Sequence, residues 1–135
     1  MSKPKTIAFI HEDKSAGVSL VRMAQSAEFH AKLYESVDRF LAAASDSEAS
    51  CVVLDASIPN DRAFALLDLL NATEGPRTSV ILLSKTDEPE LRQRARDLGA
   101  VGYFREPVDG EALLDAIRWL LCESSATDDS GNAKR

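Results

Sequence analysis

The sequence predicts an α/β fold: one doubly wound parallel sheet of five strands, with helices on both faces. Hydrophobic periodicity switches five times between a strand-like and a helix-like pattern, and chains that alternate in this way build parallel sheets joined by crossover helices. Three of the strand-like runs, "TIAFI", "CVVL" and "SVILL", are continuously apolar, as strands covered on both faces must be.

Taken in order, "TIAFI" (6–10) is the first strand and ends at His11, Glu12 and Asp13, and "SLVRMAQSA" (19–27) is the first helix. "FHAKLYE" (29–35) alternates as a half-buried strand does, and Ser36 is placed to cap the helix "VDRFLAAA". "CVVLD" (51–55) is the third strand. "RAFALLDLLNA" (62–72) is its helix, with Phe64, Leu67 and Leu70 at helical spacing. "GPRT" breaks the chain before "SVILLS" (79–84). "EPELRQRARDLGA" (88–100) is a fourth helix, with Pro89 acceptable in its first turn and Gly99 ending it. "VGYF" (101–104) is a short fifth strand and "DGEALLDAIRWLL" (109–121) the fifth helix. Residues 1–122 are therefore one domain, and "SSATDDSGNAKR" falls in a polar stretch, 123–135, expected to be disordered.

Composition excludes several classes of function. Hydrophobic residues at 44% and charged residues at 28% are those of an ordinary globular domain. No apolar run reaches membrane-spanning length and "MSKPKT" lacks the apolar segment of a signal peptide, so a cytoplasmic domain without membrane contact is expected. A net charge of −6 argues against nucleic-acid binding, which needs surplus Lys and Arg to displace counterions from phosphates. Cys51 and Cys122 have no metal or redox spacing and lie in apolar patterns, as buried reduced thiols do.

Ligand sites of open parallel sheets lie beyond the carboxyl ends of the strands. Those ends carry His11, Glu12 and Asp13, then Asp55, then Ser84, then Arg105 and Glu106. Several carboxylates gathered on one rim repel unless a cation or protons neutralise them. Magnesium, which takes one or two carboxylates with waters and phosphate oxygens, suits such a rim. A carboxylate such as Asp55 can also attack phosphorus to give an aspartyl phosphate, with Ser84 as a hydrogen-bond donor to the phosphoryl oxygen. Asp55 is expected to stand among acids rather than beside a base.

The chain resembles the receiver domain of bacterial two-component response regulators over residues 5 to about 122. The likeness is carried by "FIHEDKSAG", "VVLDASIPN", "VILLSK" and "DLGAVGYFREPVDGEALLDAI". It implies a flavodoxin-like fold with strand order 2-1-3-4-5, Asp55 as phosphoacceptor, Ser84 as the hydroxyl that senses the phosphoryl group, Tyr103 as the switch aromatic, and Pro107 after the usual lysine. It also implies magnesium held by Glu12, Asp13 and Asp55. Without gaps the family's acid pair falls on His11 and Glu12; with one loop residue deleted it falls on Glu12 and Asp13. The implied partners are a sensor histidine kinase or phosphotransfer protein and a downstream protein. A homodimer through the face of the fourth helix, fifth strand and fifth helix is also implied. Such a domain is not an enzyme beyond self-catalysed phosphotransfer and dephosphorylation.

One departure is chemically large. Glu106 stands where the family has lysine, so a phosphoryl group would meet a carboxylate in place of an ammonium. A unit-charge pair at about 4 Å and an effective dielectric near 20 is worth roughly 4 kcal/mol, and reversing one sign shifts the balance by about twice that. Lys85 and Arg105 are the candidate substitute cations, Arg105 alternating to the other side of its strand. The alternative function is a pseudo-receiver: an interaction or dimerisation module that works without phosphorylation. A flavin site is disfavoured because the first loop has no Ser/Thr and Gly run to cradle a phosphate. On the last helix Leu113, Leu114, Ile117, Leu120 and Leu121 form the core stripe, leaving Trp119 near the opposite side with Ala112 and Asp115. Arg92, Arg94 and Arg96 make the fourth helix locally basic.

Overall fold

The computed structural model describes residues 6–43, 49–72 and 78–126. Strands β1 (Thr6–Ile10), β2 (His30–Tyr34), β3 (Cys51–Asp55), β4 (Ser79–Ser84) and β5 (Gly102–Arg105) alternate with helices α1 (Lys14–Ser26), α2 (Val37–Ala42), α3 (Arg62–Ala72), α4 (Pro89–Asp97) and α5 (Gly110–Ala126). All strand pairs are parallel, in the order β2-β1-β3-β4-β5. The flavodoxin-like doubly wound sheet expected from the sequence is therefore present.

The sheet divides the interior in two, because alternate residues of a strand face opposite sides. Ala8, Ile10, Val52, Leu54, Val80 and Leu82 pack with Phe40 of α2, Phe64 and Leu67 of α3 and Ala95 of α4. Ile7, Phe9, Cys51, Val53, Ile81 and Leu83 pack with Leu20 and Ala24 of α1 and with Leu113, Ile117 and Leu121 of α5. Cys51 is wholly buried, and burial pushes its thiol up to about 12. Trp119 is 63% exposed, on the far side of α5 from the core stripe.

Local chemistry sets the element ends. Helix α1 starts at Lys14 rather than Ser19 because the Asp13 carboxylate caps it, accepting from the Ala16 N–H. Gly17 inside it allows a close approach: a Cβ there would lie 2.5 Å from Cδ1 of Leu33 on β2. Ser36 caps α2 as expected, accepting from the Arg39 N–H. Helix α4 closes at Gly99 (φ +103°), whose N–H donates to the Arg96 carbonyl while that of Ala100 donates to the Ala95 carbonyl. This is a Schellman ending, and it needs a left-handed residue. Strand β5 lies one residue later than the pattern suggested. Helix α5 runs to Ala126, past Leu121 and into the stretch expected to be a tail, since extending a formed helix fixes only one residue per new bond. Residues 127–135, 1–5 and 75–77, and the side chain of Cys122, lie outside the described residues.

Candidate functional site

The strand ends bring Asp55, His11, Ser84 and Glu106 to one rim. Asp55 closes β3 with its side chain fully buried. Its Oδ1 accepts from the Ser57 N–H at 2.9 Å and the Ser57 hydroxyl at 2.6 Å, and its Oδ2 from the Glu12 N–H at 3.2 Å. These donors supply the solvation that burial removes. Ser57 was absent from the expected site, although a serine two residues after an aspartate is a recognisable turn signal.

The base that the sequence did not lead one to expect at Asp55 is His11, 2% exposed, with Nδ1 at 3.4 Å from Asp55 Oδ2. The Asp13 N–H donates to that Nδ1 at 3.0 Å. A nitrogen that accepts is unprotonated, so the ring carries its hydrogen on Nε2. Nε2–H points at Glu106 Oε2, 2.7 Å away. His11 thus binds the neighbouring loop with one nitrogen and Glu106 with the other. Glu106 is 13% exposed, its N–H donates to the Ser84 carbonyl at 2.7 Å, and its Oε1 is buried with no partner among the described residues. Ligand atoms of His11, Asp55 and Glu106 all lie within 4.8 Å of one another.

Other expected site residues fall elsewhere. Ser84 is at the rim and buried, its Oγ accepting from the Thr86 N–H at 3.1 Å. Glu12 is exposed and reaches Asp55 only through its backbone, while the Asp13 carboxylate is engaged as the α1 cap. Lys85 and Arg105 are exposed, and neither forms an ion pair among the described residues. Among the described residues the structure brings no substitute cation to Asp55. Tyr103 is half-buried against the α2–α4 core, with Arg92 5.3 Å above its ring and its hydroxyl buried without a partner among the described residues. On α4, Arg94 stacks over Phe64 at 4.3 Å and grips Asp61 in the loop after β3 at 2.9 and 2.5 Å. Those hydrogen bonds hold the Asp61 carboxyl below its usual range.

Comparison with known proteins gives this arrangement a family. The profile described as "Response regulator receiver domain" matches residues 7–118, most of the chain. The chain belongs to the response-regulator receiver family. Among curated relatives, this receiver domain is 30% identical over 111 residues to the transcriptional regulatory protein FixJ of Bradyrhizobium diazoefficiens, covering 82% of the chain and 54% of that protein. It is 27% identical over 125 residues to FixJ of Azorhizobium caulinodans, covering 93% and 59%. The chain therefore spans less than two thirds of these relatives. Among solved structures, a CheY-like receiver domain from Methanospirillum hungatei superposes with a TM-score of 0.83 at 19% identity, covering 91% of this chain and 98% of that one. A receiver protein from Burkholderia phymatum gives 0.76 at 25% identity, covering 87% and 94%. Receiver domains of this family act with histidine kinases and downstream effectors. In this receiver domain no described helix is long and apolar enough to cross a membrane.

The magnesium expected from the family can be tested against these residues. The ion demands oxygen ligands in a near-ideal octahedron. Here the carboxylates of Glu12 and Asp13 do not converge with that of Asp55, which beyond Ser57 faces an imidazole nitrogen of His11 among the described residues. The described residues do not fit a magnesium site.

Proposed function

We propose that this receiver domain is a phosphorylation-independent interaction module of a two-component signalling system, cytoplasmic and without enzymatic turnover. One observation carries the reading: Glu106 replaces the expected cation, turns inward and is bonded to His11 at 2.7 Å, closing the rim over a fully buried Asp55. A phosphoryl group arriving there would meet a carboxylate and an imidazole that exclude it, with no neighbouring ammonium among the described residues to offset its charge. Output then runs through a constitutive surface. The exposed Trp119 of α5 offers an aromatic anchor for a protein partner or a second copy.

The second reading, phosphorylation of Asp55 by a histidine kinase or phosphotransfer protein, is favoured by two retained groups. Asp55 closes β3, and the buried hydroxyl of Ser84 closes the neighbouring β4. In that reading magnesium has to recruit Glu12 or Asp13 from their present positions.

The two readings separate on beryllofluoride with magnesium, which mimics the aspartyl phosphate, followed by amide NMR. A spectrum that stays unchanged, but responds once Glu106→Lys is introduced, supports the module. Saturable shifts at Asp55, Ser84 and Tyr103 in the unaltered domain, lost in Asp55→Asn, would establish the phosphoacceptor instead.

A further inference from the structure

We propose that the cleft between α4 and β5 is a binding site for a small organic phosphate, its phosphoryl oxygens held between the guanidinium groups of Arg92 and Arg96 and beside the hydroxyl of Tyr103. Neither of its two hollows is lined by a residue of the rim, so the site stands whether or not Asp55 takes a phosphoryl group.

Helix geometry is the first support. Side chains two positions apart on a helix point to nearly opposite sides, whereas those four apart stand one turn above the other. The three arginines of α4 therefore do not form one basic face. Arg94 is spent inside the protein, on the Asp61 carboxylate and the Phe64 ring. Arg92 and Arg96 turn the other way and both line a cavity of about 260 Å³, together with Ala95, Val101 and Tyr103. They also line a second cavity, of about 400 Å³, with Asp87, Pro89 and Gln93.

Charge is the second. Arg92 gives Nη2 to the Asp87 carboxylate, and Arg96 enters no ion pair among the described residues. The residues lining the two hollows thus carry one more positive than negative charge, on a chain whose net charge is −6. Two like charges one turn apart repel, and a dianion between them turns that repulsion into attraction. The planar guanidinium fork matches phosphoryl oxygens in pairs, which gives the contact its geometry as well as its strength.

The third is a donor without an acceptor. Tyr103 lines the first cavity, and its hydroxyl is buried with no partner among the described residues. A buried hydroxyl that donates to nothing forfeits a hydrogen bond. A phosphoryl oxygen is the acceptor it lacks. Arg92, exposed and 5.3 Å above the Tyr103 ring, is the side chain that shifts to admit it. The wall beside these polar groups is apolar: Val101, 53% exposed, is one of the large hydrophobic side chains left to solvent. A charged end with an apolar wall next to it selects an organic phosphate over the inorganic ion.

The test is a titration of the full chain, in buffer free of phosphate and magnesium, with phenyl phosphate and separately with inorganic phosphate, followed by amide and arginine Nε–H resonances. Saturable shifts should appear at Arg92, Arg96, Val101 and Tyr103, with half-saturation by phenyl phosphate at or below about 1 mM and inorganic phosphate weaker by at least about threefold. Arg96→Gln should weaken binding by about tenfold or more, and Tyr103→Phe by about two- to tenfold. Arg94→Gln removes the same charge from the far side of the same helix and should change the affinity by less than about twofold. Absence of saturable shifts up to about 10 mM phenyl phosphate, shifts confined to Asp55 and Ser84, or a loss in Arg94→Gln equal to that in Arg96→Gln would each overturn the site. Inorganic phosphate binding as tightly as phenyl phosphate would overturn the role given to Val101, and a phosphotyrosine peptide binding more tightly than phenyl phosphate would assign the phosphate to a protein and overturn the small ligand. Because the shifts are read on the unaltered chain, a variant that fails to fold does not decide the outcome. The beryllofluoride experiment needs magnesium and reads Asp55, so its result varies independently of this one.

Discussion

Replacing Glu106 by glutamine should make the domain more stable, although it removes a charge from a 2.7 Å hydrogen bond. The amide keeps an oxygen to accept from Nε2–H of His11, so the bond changes from charge-assisted to neutral and loses about 1 kcal/mol. Against that, Asp55 and Glu106 present oxygens within 4.8 Å of each other, and two unit charges at that separation with an effective dielectric near 20 repel by about 3 kcal/mol. Neutralising one of them leaves a net gain of about 2 kcal/mol. Glu106→Ala relieves the same repulsion but strands a buried N–H, at a cost of about 1–3 kcal/mol, so it should fall below glutamine and near the parent. The measurement is urea unfolding of the three proteins at pH 8, where free imidazole is neutral, in metal-chelated buffer. A glutamine variant less stable than the parent by 1 kcal/mol or more, on the order of the bond itself, would refute the view that uncompensated carboxylates dominate this rim.

Three further outcomes follow from other parts of the molecule. Gly99→Ala should cost about 1–2 kcal/mol, because the residue sits at φ +103° and its new Cβ would meet Asn71 Oδ1 at 2.5 Å; thermal unfolding checks it, and a neutral result would contradict the left-handed ending of α4. Asp61 has its carboxyl depressed by Arg94, so its contribution is present above the unfolded pKa of about 3.8 and disappears as pH falls through the lower folded value. Parent and Asp61→Asn should therefore differ in stability at pH 6 and converge near pH 2–3, in acid titrations followed by circular dichroism. Cys51, with its thiol pushed up to about 12 by burial, should resist iodoacetamide at pH 8 in the folded protein and react once denaturant unfolds it; fast native labelling at that position would mean the β3 core is open.

The fold was legible because its signal is redundant. Each apolar run that forms β1, β3 and β4 is too continuous for a half-exposed strand, and α3 coincides with its periodic segment from Arg62 to Ala72. Boundaries were less legible where a side chain acts on the backbone. Asp13 starts α1 early by capping it, a role the same carboxylate would give up if it held a metal. The site was legible as a set of strand ends, and Asp55, Ser84 and the inward-turned Glu106 occupy it. His11 was read as part of the rim, but its bridge between Asp55 and Glu106 was not. Its ring joins two acids that are distant in sequence, and no local pattern announces a contact between residues 95 positions apart. Lys85 and Arg105 were candidates by their charge and their places beside Ser84 and Glu106; alternation along the strand already turned Arg105 away, and Lys85 too is exposed.

The contact between His11 and Glu106 also has a kinetic meaning. It ties the end of β1 to the residue after β5, across the ends of β3 and β4, which lie between them in the sheet. Closing so long a loop is entropically expensive, so such a tie forms after the sheet has assembled and contributes little to the folding transition state. Interactions absent from that state are the ones that slow unfolding. The rim therefore works as a late-fastening strap over the carboxyl edge of the sheet, and the stability that Glu106→Gln gains should appear as slower unfolding with the refolding rate nearly unchanged.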